Sequence, residues 1–92
     1  MSSSISKDLR VKIASAYRLQ WETAQQCYVL LFPEGMVTLN ATASEILKRC
    51  DGRRTVSGIV EDLRGHYPAA ELEADVLEFL EVARAKGWIC AG

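Results

Sequence analysis

The hydrophobic period changes once along this chain, close to residue 41, and that change limits the fold more than any single motif. Up to Asn40 apolar residues recur at every second position, and beyond Thr42 they recur every three or four. The first period belongs to strands with one covered face, the second to helices with one buried stripe.

Tyr17, Leu19 and Trp21 share one face and Arg18 and Gln20 the other, which predicts a half-buried strand. A polar connection, Glu22 to Gln26, leads to Cys27-Tyr-Val-Leu-Leu-Phe32, apolar on both faces and suited to a central strand. Pro33-Glu34-Gly35 is a turn, because Pro fixes φ and Gly accepts positive φ. Met36 to Asn40 then forms a third strand, Val37 and Leu39 pointing one way and Met36 and Thr38 the other. Short turns between the three predict an antiparallel meander. If spatial order follows chain order, the third strand is an edge with unpaired amides and carbonyls.

Thr42-Ala-Ser-Glu45 has the form of a capping box, and Ala43, Ile46, Leu47 and Cys50 follow on one helical face, with Asp51-Gly52 as the stop. Thr55 caps a second helix with Val56, Ile59, Val60 and Leu63 inward, and Tyr67-Pro68 ends it. The third runs from about Ala69 to Lys86 with Leu72, Val76, Phe79, Leu80 and Ala83 on its main face. Leu77 and Val82 widen that stripe to roughly 220°, about twice what an ordinary surface helix needs. One reading makes this surplus the cover of a central helix packed by sheet, helices and tail; the other leaves part of it open as a groove beside the sheet, and both can hold for different residues. Trp88-Ile-Cys90 trails as an apolar segment able to pack back or pair at a sheet edge.

The fold class expected is therefore α+β and winged-helix-like: a three-stranded antiparallel β-meander followed by a three-helix cluster. Residues 1–8 are polar and serine-rich. Leu9, Val11 and Ile13 alternate with Arg10, Lys12 and Ala14, which fits either an extra strand or an arm that orders only against a partner. The domain is expected over 17–92, with 1–16 as a flexible N-terminal arm whose residues 9–14 offer one route to a homodimer.

Ninety-two residues allow one core, since a chain of this size buries only about 60–65% of its unfolded surface. With 49% hydrophobic and 25% charged residues the composition is that of a globular protein, not a disordered one. No apolar run approaches a membrane span or a signal-peptide core, so the expected location is cytoplasmic, without a membrane partner. Cys27, Cys50 and Cys90 lie 23 and 40 residues apart and His66 stands alone, at no metal-ligand spacing and with no thiol-redox motif. No nucleophile elbow, phosphate loop or zinc-protease motif occurs. Neither catalytic residues, metal nor cofactor are expected.

Charge divides unevenly. Residues 1–60 carry 8 basic and 5 acidic groups, and 61–92 carry 3 and 7, for a net −1 overall. Lys48, Arg49, Arg53 and Arg54 cluster, but alone they read as a solvated surface. A DNA-binding winged helix would lay its third helix in the major groove. Here that helix carries Glu71, Glu73, Asp75, Glu78 and Glu81, which phosphates would repel, so nucleic acid is not expected as a partner.

In order, Leu30-Leu31-Phe32-Pro33-Glu34-Gly35, Leu39-Asn40, Glu45-Ile46-Leu47, Asp51-Gly52, Arg54-Thr55-Val56, Asp75-Val76, Phe79-Leu80 and Gly87-Trp88 closely resemble the pyrroloquinoline quinone biosynthesis protein D (PqqD) family. The likeness covers about Tyr17 to Ile89, with Phe32 where Tyr is more usual. The resemblance implies a non-catalytic peptide chaperone that binds a ribosomally made precursor peptide, PqqA, and presents it to the radical S-adenosylmethionine enzyme PqqE. A recognition domain for another modified peptide is the alternative, and a DNA-binding winged helix a weaker one. The resemblance further implies that the leader adds as a strand to the third strand and lies against the third helix. The expected peptide-binding residues are Val37, Thr38 and Leu39, through their main chain, with Leu72, Asp75, Val76 and Phe79 lining the cleft. Asp75 and Glu78 would select a basic leader residue.

Overall fold

The step from sheet to helix falls two residues earlier than the capping pattern suggests. In the computed structural model, which describes residues 5–66 and 71–92, Asn40 is the N-cap, and its side chain accepts a hydrogen bond from the Ala43 amide at 2.7 Å. Thr42 lies inside the first turn of α1 (Ala41–Lys48), exposed. Glu45 does not reach back to a cap either, because its carboxylate holds Arg49 at 2.8 Å and Lys48 at 3.1 Å. Two cations in the next turn outcompete one backbone amide.

Upstream, the meander is as expected. Strands β2 (Arg18–Glu22), β3 (Cys27–Phe32) and β4 (Gly35–Thr38) form an antiparallel sheet in chain order, with β3 central. Val29 and Leu30, on opposite faces of β3, are both fully buried. The Tyr17 and Phe32 rings meet at 5.3 Å, tilted by 40°. Gly35 sits at φ +157°, a positive value that L side chains rarely adopt, so the turn uses the freedom of that glycine as expected.

The expectation that fails is the flexible arm over 1–16. Arg10–Ile13 is a strand, β1, at the centre of a second antiparallel sheet, between β5 (Asp51–Thr55) and β6 (Ile89–Ala91). Val11 is 1% exposed and Ile5 5%, so this segment contributes to the core. It also completes a helix. The first three amides of α2 (Val56–Arg64) are taken by the Leu9 carbonyl, the Lys7 carbonyl and the Thr55 hydroxyl, at 2.9, 3.0 and 3.1 Å. Helix N-termini leave such donors without intrahelical partners, and here the chain start supplies two acceptors and the expected Thr55 cap the third. Met1 to Ser4 lie outside the described residues.

Asp51-Gly52 is likewise not simply a helix stop. α1 ends at Lys48, and Asp51 opens β5, whose pairing with β1 is irregular: Arg10 faces Thr55 and Lys12 faces Asp51. Gly52 takes φ +80° within that bulge. The tail does pair at a sheet edge, as β6. The architecture is thus α+β, with two three-stranded antiparallel sheets and three helices.

Helix α3 (Leu72–Ala85) buries Leu72, Val76, Leu80 and Ala83. The expected start at Ala69 and the stop at Tyr67-Pro68 lie outside the described residues. Together with Leu30, Ile46, Leu47, Ile59 and Leu63 these side chains form one core that both sheets and all three helices share. None of the described helices is long and apolar enough to cross a membrane.

Candidate functional site

Sheet β2-β3-β4 has two open edges, and hydrogen-bond phase decides what each offers. The Leu39 amide donates to the Tyr28 carbonyl at 3.0 Å, one residue past the end of β4. Bonds across an antiparallel pair fall on alternate residues. With Leu30 opposite Val37 and Phe32 opposite Gly35, the main-chain groups of Gly35, Val37 and Leu39 turn inward to β3. Those of Met36 and Thr38 turn outward. Of the three residues expected to bind through their main chain, only Thr38 therefore faces the open edge, and Met36 joins it. The pleat was legible in the sequence; the ladder's phase was not, since residues alternate sides for bonds as well as for side chains and one known bond is needed to start the count.

Side chains follow the expected alternation. Val37 is half-buried and Leu39 buried, while Met36 and Thr38 are exposed. Met36, at 46% exposure, is one of three large apolar side chains left open among the described residues. Val82, on the outer flank of α3, is another.

On α3 the expected lining residues separate into two groups. Leu72 and Val76 are 4% and 0% exposed, so they are core residues that form the back of any cleft and are not a surface for a ligand. Phe79 is half-buried, its ring 6.5 Å from that of Trp88, and Asp75 is exposed. At 100° per residue Asp75, Phe79 and Val82 fall on one flank of the helix, about 90° from the centre of the buried stripe. That flank mixes apolar and acidic groups. Leu77, on the other flank, is half-buried against the core. Val37 and Phe79 both border the same core, while α3 packs on α2 and β6 and α1 packs on β3.

A further feature lies where sheet β2-β3-β4 meets α1. An open hollow of about 610 Å³ is lined by Trp21, Cys27, Tyr28, Leu39, Ala41 and Lys48 among others. Trp21, expected inward with Tyr17 and Leu19, is 46% exposed and meets Tyr28 edge-on at 5.1 Å. Lys48 lies 4.9 Å above the Tyr28 ring, and its hydrogen bond to Glu45 raises its pKa. The third large open apolar side chain, Trp21, thus lies against the Tyr28 ring.

Among the described residues no three His, Cys, Asp or Glu gather to hold a metal ion. Burial pushes the Cys50 thiol up to about 12, so it stays protonated and inert.

The family model described as coenzyme PQQ synthesis protein D (PqqD) matches residues 27–89. A PqqA binding protein of Azotobacter vinelandii is 52% identical over 79 residues, covering 85% of this chain and 86% of that one. One of Methylococcus capsulatus is 46% identical over 86 residues, covering 94% and 92%. In three dimensions the chain is similar to the solution NMR structure of the PqqD truncation of Methylobacterium extorquens PqqCD, described as a functional, stand-alone recognition element for ribosomally synthesised and post-translationally modified peptides. The TM-score is 0.79 at 32% identity, over 96% of each chain.

Proposed function

Given that this chain belongs to the coenzyme PQQ synthesis protein D family, we propose that it binds the precursor peptide PqqA as an added strand on β4. In this reading it is a non-catalytic chaperone that holds the leader while PqqE, a radical S-adenosylmethionine enzyme, acts on the rest of the peptide. The observation that carries the location is the free edge at Met36 and Thr38, on the sheet strand that borders the same core as the open flank of α3.

Energetics divide the work. Met36 and Thr38 together present two amides and two carbonyls. At about 0.5–1.5 kcal/mol net per bond, four bonds contribute roughly 2–6 kcal/mol. Ordering a disordered segment costs about 2–5 kcal/mol, so the strand bonds approximately cancel that cost and leave little affinity. The surplus has to come from apolar contact. Each ~100 Å² buried contributes about 2.5 kcal/mol, and Phe79, Val82, Val37 and the Met36 side chain offer that area. Leu72, Val76 and Leu39 support it from behind. Backbone pairing then fixes register without reading sequence, and the apolar contacts select. Asp75 and Glu78, beside that flank, favour a leader with a basic residue at the matching position.

The helices with β1, β5 and β6 make a winged-helix-like arrangement in this reading, used for peptide and not for duplex. The exposed acids of α3 disfavour a nucleic-acid groove. The alternative of another modified peptide draws less support, because relatives near 50% identity carry the name PqqA binding protein. Calorimetric titration with PqqA and with an unrelated leader tests the reading: stoichiometric heat with PqqA alone supports it, and none from a folded sample contradicts it.

A further inference from the structure

Two adjacent arginines in a strand ordinarily face opposite sides, one inward. Arg53 and Arg54 are both exposed. The irregular pairing of β5 with β1 makes this so, and Asp51 secures it by accepting from the amides of Arg53 and Arg54 at 2.9 and 3.1 Å, beside Gly52 at φ +80°. Those amide bonds hold the Asp51 carboxyl below its ordinary pKa. Across the ladder, Arg10 and Lys12 are exposed residues of β1, and the Arg10 Nε donates to the Arg53 carbonyl at 3.1 Å. Four cations from segments some forty positions apart in sequence thus meet on one sheet.

They are poorly compensated. Several other basic groups are paired: Arg49 with Glu45 and Asp62, Lys48 with Glu45, Lys7 with Glu73, Arg64 with Glu61. On this sheet Asp51 approaches only Arg54, at 3.7 Å, and among the described residues no carboxylate lies within ion-pair distance of Arg10, Lys12 or Arg53. Like charges on neighbouring strands work against the pairing, and here a bulge and a side-chain cap maintain the arrangement.

We infer that the exposed face of sheet β5-β1-β6, through Arg10, Lys12, Arg53 and Arg54, docks an acidic surface of a protein partner. It belongs to a different sheet from the β4 edge, so partner and peptide are held by separate surfaces. The chain's net charge of −1 and its acidic α3 favour a local protein contact over nucleic acid, which would draw on a more extensive basic field. This inference rests on the preceding reading, in which the chain passes its peptide to an enzyme, and the enzyme is the partner assigned to this face.

The test is the double substitution Arg53→Glu, Arg54→Glu, with Lys12→Glu as an independent second variant. The backbone amides that Asp51 holds are unaltered by either. PqqA affinity and PqqE affinity are measured separately, the latter on peptide-loaded protein at low and at high salt. Unchanged peptide binding is expected, with enzyme binding weakened about tenfold or more at low salt and with a shallower salt dependence. Enzyme binding equal to that of the parent would overturn the inference, as would loss of peptide binding in a folded variant, or a parent that binds peptide but not enzyme. Binding of the parent to duplex DNA through the same arginines would assign the face to nucleic acid instead. Failure of the parent to bind PqqA would strike the preceding reading, by a different measurement.

Discussion

Thr38→Pro separates the edge from the fold. The Thr38 amide points away from β3, so a proline there removes no ladder bond. Proline is tolerated in a strand where its missing N–H would have faced solvent, and the preceding Val37 is already extended, as an X-Pro sequence requires. The expected loss of stability is about 1 kcal/mol or less, mainly from the adjustment of φ. Peptide binding should suffer far more. One strand bond of about 0.5–1.5 kcal/mol vanishes, and the ring collides with the carbonyl that would have accepted it, displacing its neighbours. A total of roughly 1.5–3 kcal/mol corresponds to about a ten- to hundredfold weaker Kd. Val37→Pro is the contrast: it removes the amide that donates to the Leu30 carbonyl and should cost about 3 kcal/mol of stability or more. Urea melts and calorimetric titration of both variants with PqqA provide the assay. A folded Thr38→Pro protein with parental affinity would refute strand addition at β4.

Capping gives a second pair of variants: Asn40→Ala should destabilise by about 1 kcal/mol and Thr42→Ala by much less, read from urea midpoints. A third concerns acid. Hydrogen bonds from Arg49 hold the Glu45 and Asp62 carboxyls below their ordinary 4.5 and 3.8. Depressed folded values mean that this stabilisation is present above the ordinary values and lost as pH falls through the depressed ones. Arg49→Met should therefore lower the urea midpoint at neutral pH, and the gap to the parent should narrow in acid; a gap independent of pH would contradict the pairing. A fourth concerns thiols: at mildly alkaline pH a maleimide should label exposed Cys90 readily and leave Cys50 unmodified until the protein unfolds, as mass spectrometry would show.

Much of this was legible in the sequence, and the exceptions share a cause. Local signals sufficed for the meander, for the Thr55 cap and for every inward residue of α2, because each depends on neighbours within one turn or one hairpin. The second sheet escaped because its three strands come from residues 10, 51 and 89 onward, and a three- to five-residue strand shows its period only once its partners are known. At the cap, the Thr42–Glu45 pattern read as a capping box, whereas Asn40, two positions earlier, is the residue whose side chain accepts from the helix and Glu45 holds Lys48 and Arg49. At the site, pleat patterning separated Val37 and Leu39 from Met36 and Thr38, as found, but carried no information on bond phase, so Met36 was passed over. Helical periodicity likewise grouped Val76 with Phe79, although only Phe79 reaches the surface. Placing Asp at Val76 would therefore report on folding, and Phe79→Asp is the substitution that interrogates binding.

The central claim is that peptide occupies the β4 edge, and amide hydrogen exchange with and without PqqA examines it residue by residue. The account predicts that the Met36 and Thr38 amides, open in the free protein, become protected on binding, while Leu19 and Trp21 on the β2 edge stay as they were. Protection at β2 with Met36 and Thr38 unchanged would contradict it.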